Sequence, residues 1–340
     1  MSAGRCCIAR HGHASSWRRR RRPPAPSAPH PRRYLVFTSV GERCDNIEHT
    51  WLCEEDRRDW ELCVVYYGDP ARKPDTLLRR ADRVLCRKGG KFPNLAYLHA
   101  IEPDYLSSFE AVLVADDDIF FERADAIREL FAVRREYDLW MCQPANHAKR
   151  GKADIAELRA VDGARLRCCN FVEVTAPLFR TDKLLAFLRE YEQQPPPPPP
   201  PVEVDPWMPP SRRAARAPTH HRLLVGYGID AWFCQSLLGI DPATGEAPPS
   251  TRDKCAVVDS VRFINPTEAD KGCEVRAIDR LQKFADRVDA WRHVARARGL
   301  SEQYPWRRYS HVALGAAERA TMEHMRAALA ARTSDVAKLL

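Results

Sequence analysis

Three carboxylates stand side by side at Asp116, Asp117 and Asp118, directly after the apolar run Ala111-Val-Leu-Val-Ala115 and directly before Ile119-Phe-Phe121. A continuous apolar run of this length is a strand covered on both faces, as in the middle of a parallel sheet. Carboxylates crowded at the end of such a strand repel one another, and a hard divalent cation, Mn2+ or Mg2+, makes the arrangement favourable. Asp116 and Asp118 are two positions apart, so on an extended chain they project to the same side and can address one ion. A solvated turn that only ends a strand is the simpler alternative. The apolar residues on both sides of the triplet argue against it.

Asp230 is a second candidate. It follows Gly226-Tyr-Gly-Ile and precedes an apolar helical pattern. Asp at a helix start is often only a cap, but the two glycines also let the backbone approach a ligand closely.

An alternation of strands and helices must position these groups. Strands are expected at 34–40, 62–67, 83–86, 111–115, 138–143, 170–179, 255–259 and 262–266. Helices are expected at 45–57, 91–100, 123–135, 182–191, 231–238, 276–298 and 312–332. This order predicts an α/β fold, a mostly parallel central sheet with helices on both faces. In such sheets ligands bind beyond the carboxyl ends of the strands, which is where Asp116–Asp118 fall.

Residues 1–33 contain nine Arg and no Asp or Glu, more than the whole net charge of +8, and this arm is expected to be disordered. It fits a targeting peptide, a solvated tail or a mispredicted start equally, and leaves the compartment open between Golgi lumen and cytoplasm. The near-neutral remainder argues against nucleic acid as a partner. No run of about 18 apolar residues exists, so no integral membrane segment is expected. Seven consecutive prolines, 195–201, mark a proline-rich insertion over 192–221 inside a domain of 34–300, with a helical extension at 301–340. The twelve cysteines show no Cys-x-x-Cys spacing and are expected to be mostly buried and reduced, with one or two bridges if the protein is lumenal.

Five motifs in order, Thr38-Ser-Val-Gly41, Gly89-Gly-Lys-Phe-Pro93, Val114-Ala-Asp-Asp-Asp-Ile119, Trp140-Met-Cys-Gln-Pro144 and Gly226-Tyr-Gly-Ile-Asp230, resemble an uncharacterised family of plants, algae and bacteria. Its members are similar to glycosyltransferases of the GT-A type, and the resemblance covers 34–190 and 222–268. It implies a single Rossmann-type GT-A-like domain and a nucleotide-diphosphosugar donor, with an unknown glycan, protein or lipid acceptor. Thr38, Ser39 and Gly41 would border the nucleoside, and Lys91 would approach the diphosphate. Asp116 would face the ribose or a metal-bound water, and Asp118 would bind the metal. Asp230 would be the acceptor's general base. Where such enzymes often carry a metal-binding His, this chain has Asn265, a weaker oxygen ligand, with Asp259 as a possible substitute.

Two other functions share parts of this pattern. Haloacid-dehalogenase-type phosphatases also end a strand in Asp-x-Asp, but follow it with Thr or Val where this chain has Phe120, and place it on the first strand. A non-catalytic nucleotide-sugar- or glycan-binding protein on the same fold is the alternative to a transferase.

Overall fold

The computed structural model describes residues 32–42, 44–52, 57–195, 223–267 and 283–332. Most of the basic arm and of the proline-rich insertion therefore lies outside the described residues.

All seven residues of β1 (Tyr34–Val40) are buried. Tyr34, Val36 and Val40 face one apolar layer, Leu35 and Phe37 the other. That is the burial expected when both faces of a strand are covered. In chain order there follow β2 (Trp60–Tyr66), α1 (Asp75–Arg80), β3 (Arg83–Cys86), α2 (Lys91–Ile101), α3 (Pro103–Ser107), β4 (Ala111–Asp116), β5 (Phe120–Phe121), α4 (Ala126–Glu136), β6 (Met141–Asn146), β7 (Ala164–Cys169), β8 (Leu178–Arg180), α5 (Thr181–Glu192), α6 (Ile229–Leu238), β9 (Cys255–Ile264), α7 (Phe284–Arg298), β10 (Arg308–Ala313) and α8 (Ala316–Arg332).

The strands form one sheet in the order β3-β2-β1-β4-β8-β6-β9-β7-β10, with β5 beside the far end of β9. β1 to β4, β6, β9 and β10 run one way, while β5, β7 and β8 run the other. The architecture is thus α/β with a mixed, largely parallel sheet. One layer packs Leu95 of α2, Phe187 of α5, Trp232 of α6 and Trp291 of α7 against the sheet; the other packs Leu130 and Phe131 of α4 with Ile47 and Trp51.

Several elements differ from their sequence expectation, each for a physical reason. The strand expected at 170–179 is an irregular loop at 170–177 followed by β8. Asn170 holds the loop out of register: its amide donates to the carbonyls of Gly245 (3.0 Å) and Pro305 (2.9 Å), and its carbonyl oxygen accepts from Arg307 N (2.8 Å). β7 was hidden because Arg167 sits in its middle, buried by a two-pronged ion pair with Asp259 of β9. The strands expected at 255–259 and 262–266 are one strand, bulged where Pro144 pairs Val258 and Ala145 pairs Arg262. The 301–340 stretch expected as helical contributes β10 to the sheet edge beside β7 before α8 begins. Of the helix expected at 45–57, positions 45–51 are helical, the last five as π-helix (Ile47–Trp51), and 53–56 lie outside the described residues.

The start of α6 is set by packing. Gly228 has φ 85°, and a Cβ there would lie 2.3 Å from the Trp291 ring of α7. Only glycine lets α7 close over this helix start without strain.

The flanks of the proline-rich insertion meet. The Tyr191 hydroxyl donates to the Leu224 carbonyl, and Leu224 N donates to the buried Gln194 side chain (3.0 Å). Replacing 196–222 by a short Gly/Ser linker should leave the urea midpoint nearly unchanged, because loop length itself costs little. Extending the deletion to Gln194 removes a buried partner and should lower stability by about 1–3 kcal/mol. Loss of folding in the shorter deletion would contradict this reading.

Candidate functional site

The chain leaves β1 to build β2 and β3 on one side, then crosses back to place β4 on the other. The carboxyl ends of β1 and β4 therefore flank the point where strand order reverses, and connections leaving in opposite directions open a crevice there. Gly41 stands at the first end and Asp116–Asp118 at the second. A direct bond joins them: Gly41 N donates to Asp117 Oδ2 (3.0 Å), and the Tyr67 hydroxyl donates to the same oxygen (3.3 Å). A Cβ on residue 41 would sit 3.0 Å from that hydroxyl, so Gly41 also makes room for Tyr67. Burial, then the neighbouring Asp118 charge, pushes the Asp117 carboxyl well above its ordinary range.

On the other side of β4, the Lys91 ammonium at the start of α2 contacts Asp116 Oδ1 (2.7 Å) and donates to the carbonyls of Val174 (2.6 Å) and Thr175 (3.1 Å). An ammonium has three protons, so these contacts use its full capacity. The Lys91 side chain is 8% exposed and that of Asp116 42%, so the lysine is the inner partner and the carboxylate faces the crevice. Asp116 N also donates to the Thr175 carbonyl (2.8 Å). The 170–177 loop is thereby fixed along the carboxyl end of β4.

Asp230 reaches the same loop. Its Oδ1 accepts from Ala231 N (2.9 Å) and its Oδ2 from Val174 N (3.3 Å). Burial raises its pKa to about 6. Next to Val174 on the same loop is Glu173, whose backbone N donates to Gln143 Oε1. Burial, reinforced by the charges of Asp230, Asp154 and Asp116, pushes Glu173 up to about 8. Two neighbouring carboxyls with pKa values on either side of neutrality divide into one ionised and one protonated group.

The sequence candidates are placed as follows. Gly41, Lys91, Asp116, Asp118 and Asp230 gather at this edge of the sheet. Ser39 lies just inside it, its hydroxyl accepting from Asn94 Nδ2 (3.0 Å). Thr38 is fully buried, and its hydroxyl has no hydrogen-bond partner among the described residues. Asn265 follows β9, whose last residue Ile264 pairs with Phe120, and its backbone carbonyl accepts from Lys152 N (2.6 Å). Asp259 is not at the site: it is fully buried and bound by Arg167 and by Val161 N (2.8 Å). It therefore cannot substitute as a ligand. Among the described residues, no three His, Cys, Asp or Glu side chains are gathered for a metal ion. The carboxylates of Asp116 and Asp118 are hard oxygen donors and suit Mn2+ or Mg2+ in kind. Glu173 escaped sequence analysis because it lies inside Phe171-Val172-Glu173-Val174, which reads as a strand position. The signal available was a lone carboxylate in an apolar run.

No protein-family model and no curated protein sequence matches the chain. Solved structures similar to it include residues 1–349 of TarS from S. aureus (10% identity, TM-score 0.40, covering 78% of this chain and 74% of that one). The mannosyltransferase PcManGT from Pyrobaculum calidifontis, in complex with GDP-Man and Mn2+, is similar at 13% identity and TM-score 0.37, covering 90% and 72%. So is 4-diphosphocytidyl-2C-methyl-D-erythritol synthase from Anaerococcus prevotii, at 16% identity and TM-score 0.31, covering 48% and 76%. Likenesses this distant carry no argument about activity, and the site stands on its own geometry.

Asp230 and Glu173 both titrate higher in the folded chain than the usual carboxyl value near 4. Between those values the folded state holds more protons than the unfolded one, so raising the pH costs stability. With chelator present, the thermal midpoint should fall as pH rises from about 5 to about 8, first through Asp230 and then through Glu173. A flat or rising midpoint across that window would contradict the burial of these carboxyls.

Proposed function

We propose that the protein transfers a sugar from a nucleotide-diphosphosugar donor to an acceptor hydroxyl, using Mn2+ or Mg2+ at Asp116 and Asp118. The observation that carries this reading is the convergence of two carboxylate groups on one crevice. Asp116–Asp118 lie at the β1/β4 switch point, and Asp230 with Glu173 lie across the Lys91 contacts.

The donor-side roles follow from placement. Asp118, Asp116 and the Asn265 amide oxygen would hold the cation. When bound, it would neutralise charge developing on the departing diphosphate. The nucleoside would lie against the ends of β1 at Ser39 and Gly41; Thr38, fully buried, supports them from below. Lys91 acts on the donor through Asp116 and the 173–175 backbone, since its three protons are already engaged.

On the acceptor side, Asp230 with its pKa near 6 is ionised at neutral pH and can take the hydroxyl proton as the new glycosidic bond forms. Glu173, with its pKa near 8, is protonated there and can donate a hydrogen bond to a substrate oxygen.

Thermal-shift measurements with Mn2+ and a panel of nucleoside diphosphates test the donor side. One nucleotide should raise the midpoint of the wild-type protein, and Asp118→Asn should abolish that rise while leaving the metal-free midpoint close to wild type. Asp230→Asn should keep the shift but lower transfer, or slow donor hydrolysis where no acceptor is known, by about 10²–10⁴-fold. A full shift in Asp118→Asn contradicts the metal assignment. Unchanged turnover in Asp230→Asn reduces that residue to a helix cap, and binding without turnover in every variant favours a binding protein.

A further inference from the structure

Away from the acidic crevice, sulfur converges beneath the 170–177 loop. In the antiparallel pairing of β7 with β9, Arg167 faces Val257 and Cys168 faces Ala256. The next step sets Cys169 directly opposite Cys255. Both thiols point into the layer that contains α6, whereas Cys168 points into the other. The Cys255 thiol lies within hydrogen-bonding reach of both the Cys169 sulfur and Cys234 of α6. All three residues are fully buried free cysteines.

The same sulfurs tie down the loop that bears Glu173. Cys169 Sγ donates to the Phe171 carbonyl (3.1 Å). Val172 N donates to Cys234 Sγ (3.4 Å), and Cys234 Sγ donates to the Val172 carbonyl (3.6 Å).

We infer that Cys169 and Cys255 are a modification site, a cross-strand pair that closes to a disulfide when the chain folds under oxidising conditions. Directly opposed residues of antiparallel strands have Cα atoms roughly 4.5–5.5 Å apart, inside the span of about 4.4–6.8 Å that a disulfide bridges. The oxidant is a small-molecule disulfide such as oxidised glutathione. One cysteine thiolate attacks it, forming a mixed disulfide and releasing one glutathione thiol. The second cysteine thiolate then displaces the other glutathione as the Cys–Cys bond forms. The two cysteine protons end on the two glutathione thiols. Because neither sulfur is exposed in the folded protein, exchange takes place while β7 and β9 are still coming together. Closure also removes the Cys169 S–H that donates to the Phe171 carbonyl, so the oxidised chain loses one tie at the base of the Glu173 loop.

The test is refolding of the full chain from denaturant in oxidised and reduced glutathione, or in dithiothreitol alone, followed by alkylation under denaturing conditions and tryptic mass mapping. The glutathione sample should contain peptide 168–180 joined to peptide 255–262, two hydrogens lighter than their sum. The dithiothreitol sample should contain both alkylated. The link should persist in Cys168→Ala and vanish in Cys169→Ala. Recovery of both wild-type peptides fully alkylated at every glutathione ratio would overturn the inference, whatever the variants do. So would a link that survives Cys169→Ala.

Discussion

The site depends on one buried ammonium. Lys91 joins three segments far apart in sequence: the start of α2, the end of β4 and the 170–177 loop. The loop in turn holds Asp230 through Val174 N and carries Glu173, which feels the charges of Asp230 and Asp116. A half-buried carboxylate beside Asp117 and Asp118 would be repelled from the strand end. The lysine offsets that repulsion at Asp116 and leaves the outer face of the carboxylate toward the crevice. These contacts engage all three of the lysine's protons.

The rest of the structure makes that arrangement rigid. Gly228 admits the Trp291 ring and so fixes where α6 begins, two residues before Asp230. Asn170 anchors the far end of the loop to 305–307. The Arg167–Asp259 pair holds β7 against the bulge of β9, from which the strand runs on to Ile264. A buried pair of this kind adds little net stability, but removing one partner alone typically costs about 3–5 kcal/mol. It therefore specifies register more than it strengthens the fold. Glu173 and Asp117 remain protonated more readily than ordinary carboxyls because both are buried beside other carboxylates.

Much of this was legible in the sequence, for identifiable reasons. Apolar runs covered on both faces, such as Tyr34–Val40 and Ala111–Asp116, announce themselves without context. The carboxylates at the end of β4 were visible for the same reason, and so was the glycine-flanked Asp230. What stayed hidden depended on partners distant in the chain. Arg167 disguises β7 because its neutralising partner lies 92 residues away. Glu173 reads as a strand residue until Asn170 and Lys91 are seen to pull its segment into a loop. Asp259 reads as a possible ligand until Arg167 is found on it. Lys91 illustrates the limit most clearly: its place at the start of α2 follows from the sequence motif, but its contacts with Asp116, Val174 and Thr175 do not.

The proposed function requires above all that the β1/β4 crevice hold a diphosphate through a cation on Asp118. Crystals grown with Mn2+ and a nucleoside diphosphate, with data collected near the manganese absorption edge, test it directly. An anomalous peak is expected within bonding distance of the Asp118 carboxylate and of the diphosphate, with the nucleoside against Ser39 and Gly41. Manganese and nucleotide bound elsewhere, or a nucleotide in the crevice with no metal at Asp118, would contradict it.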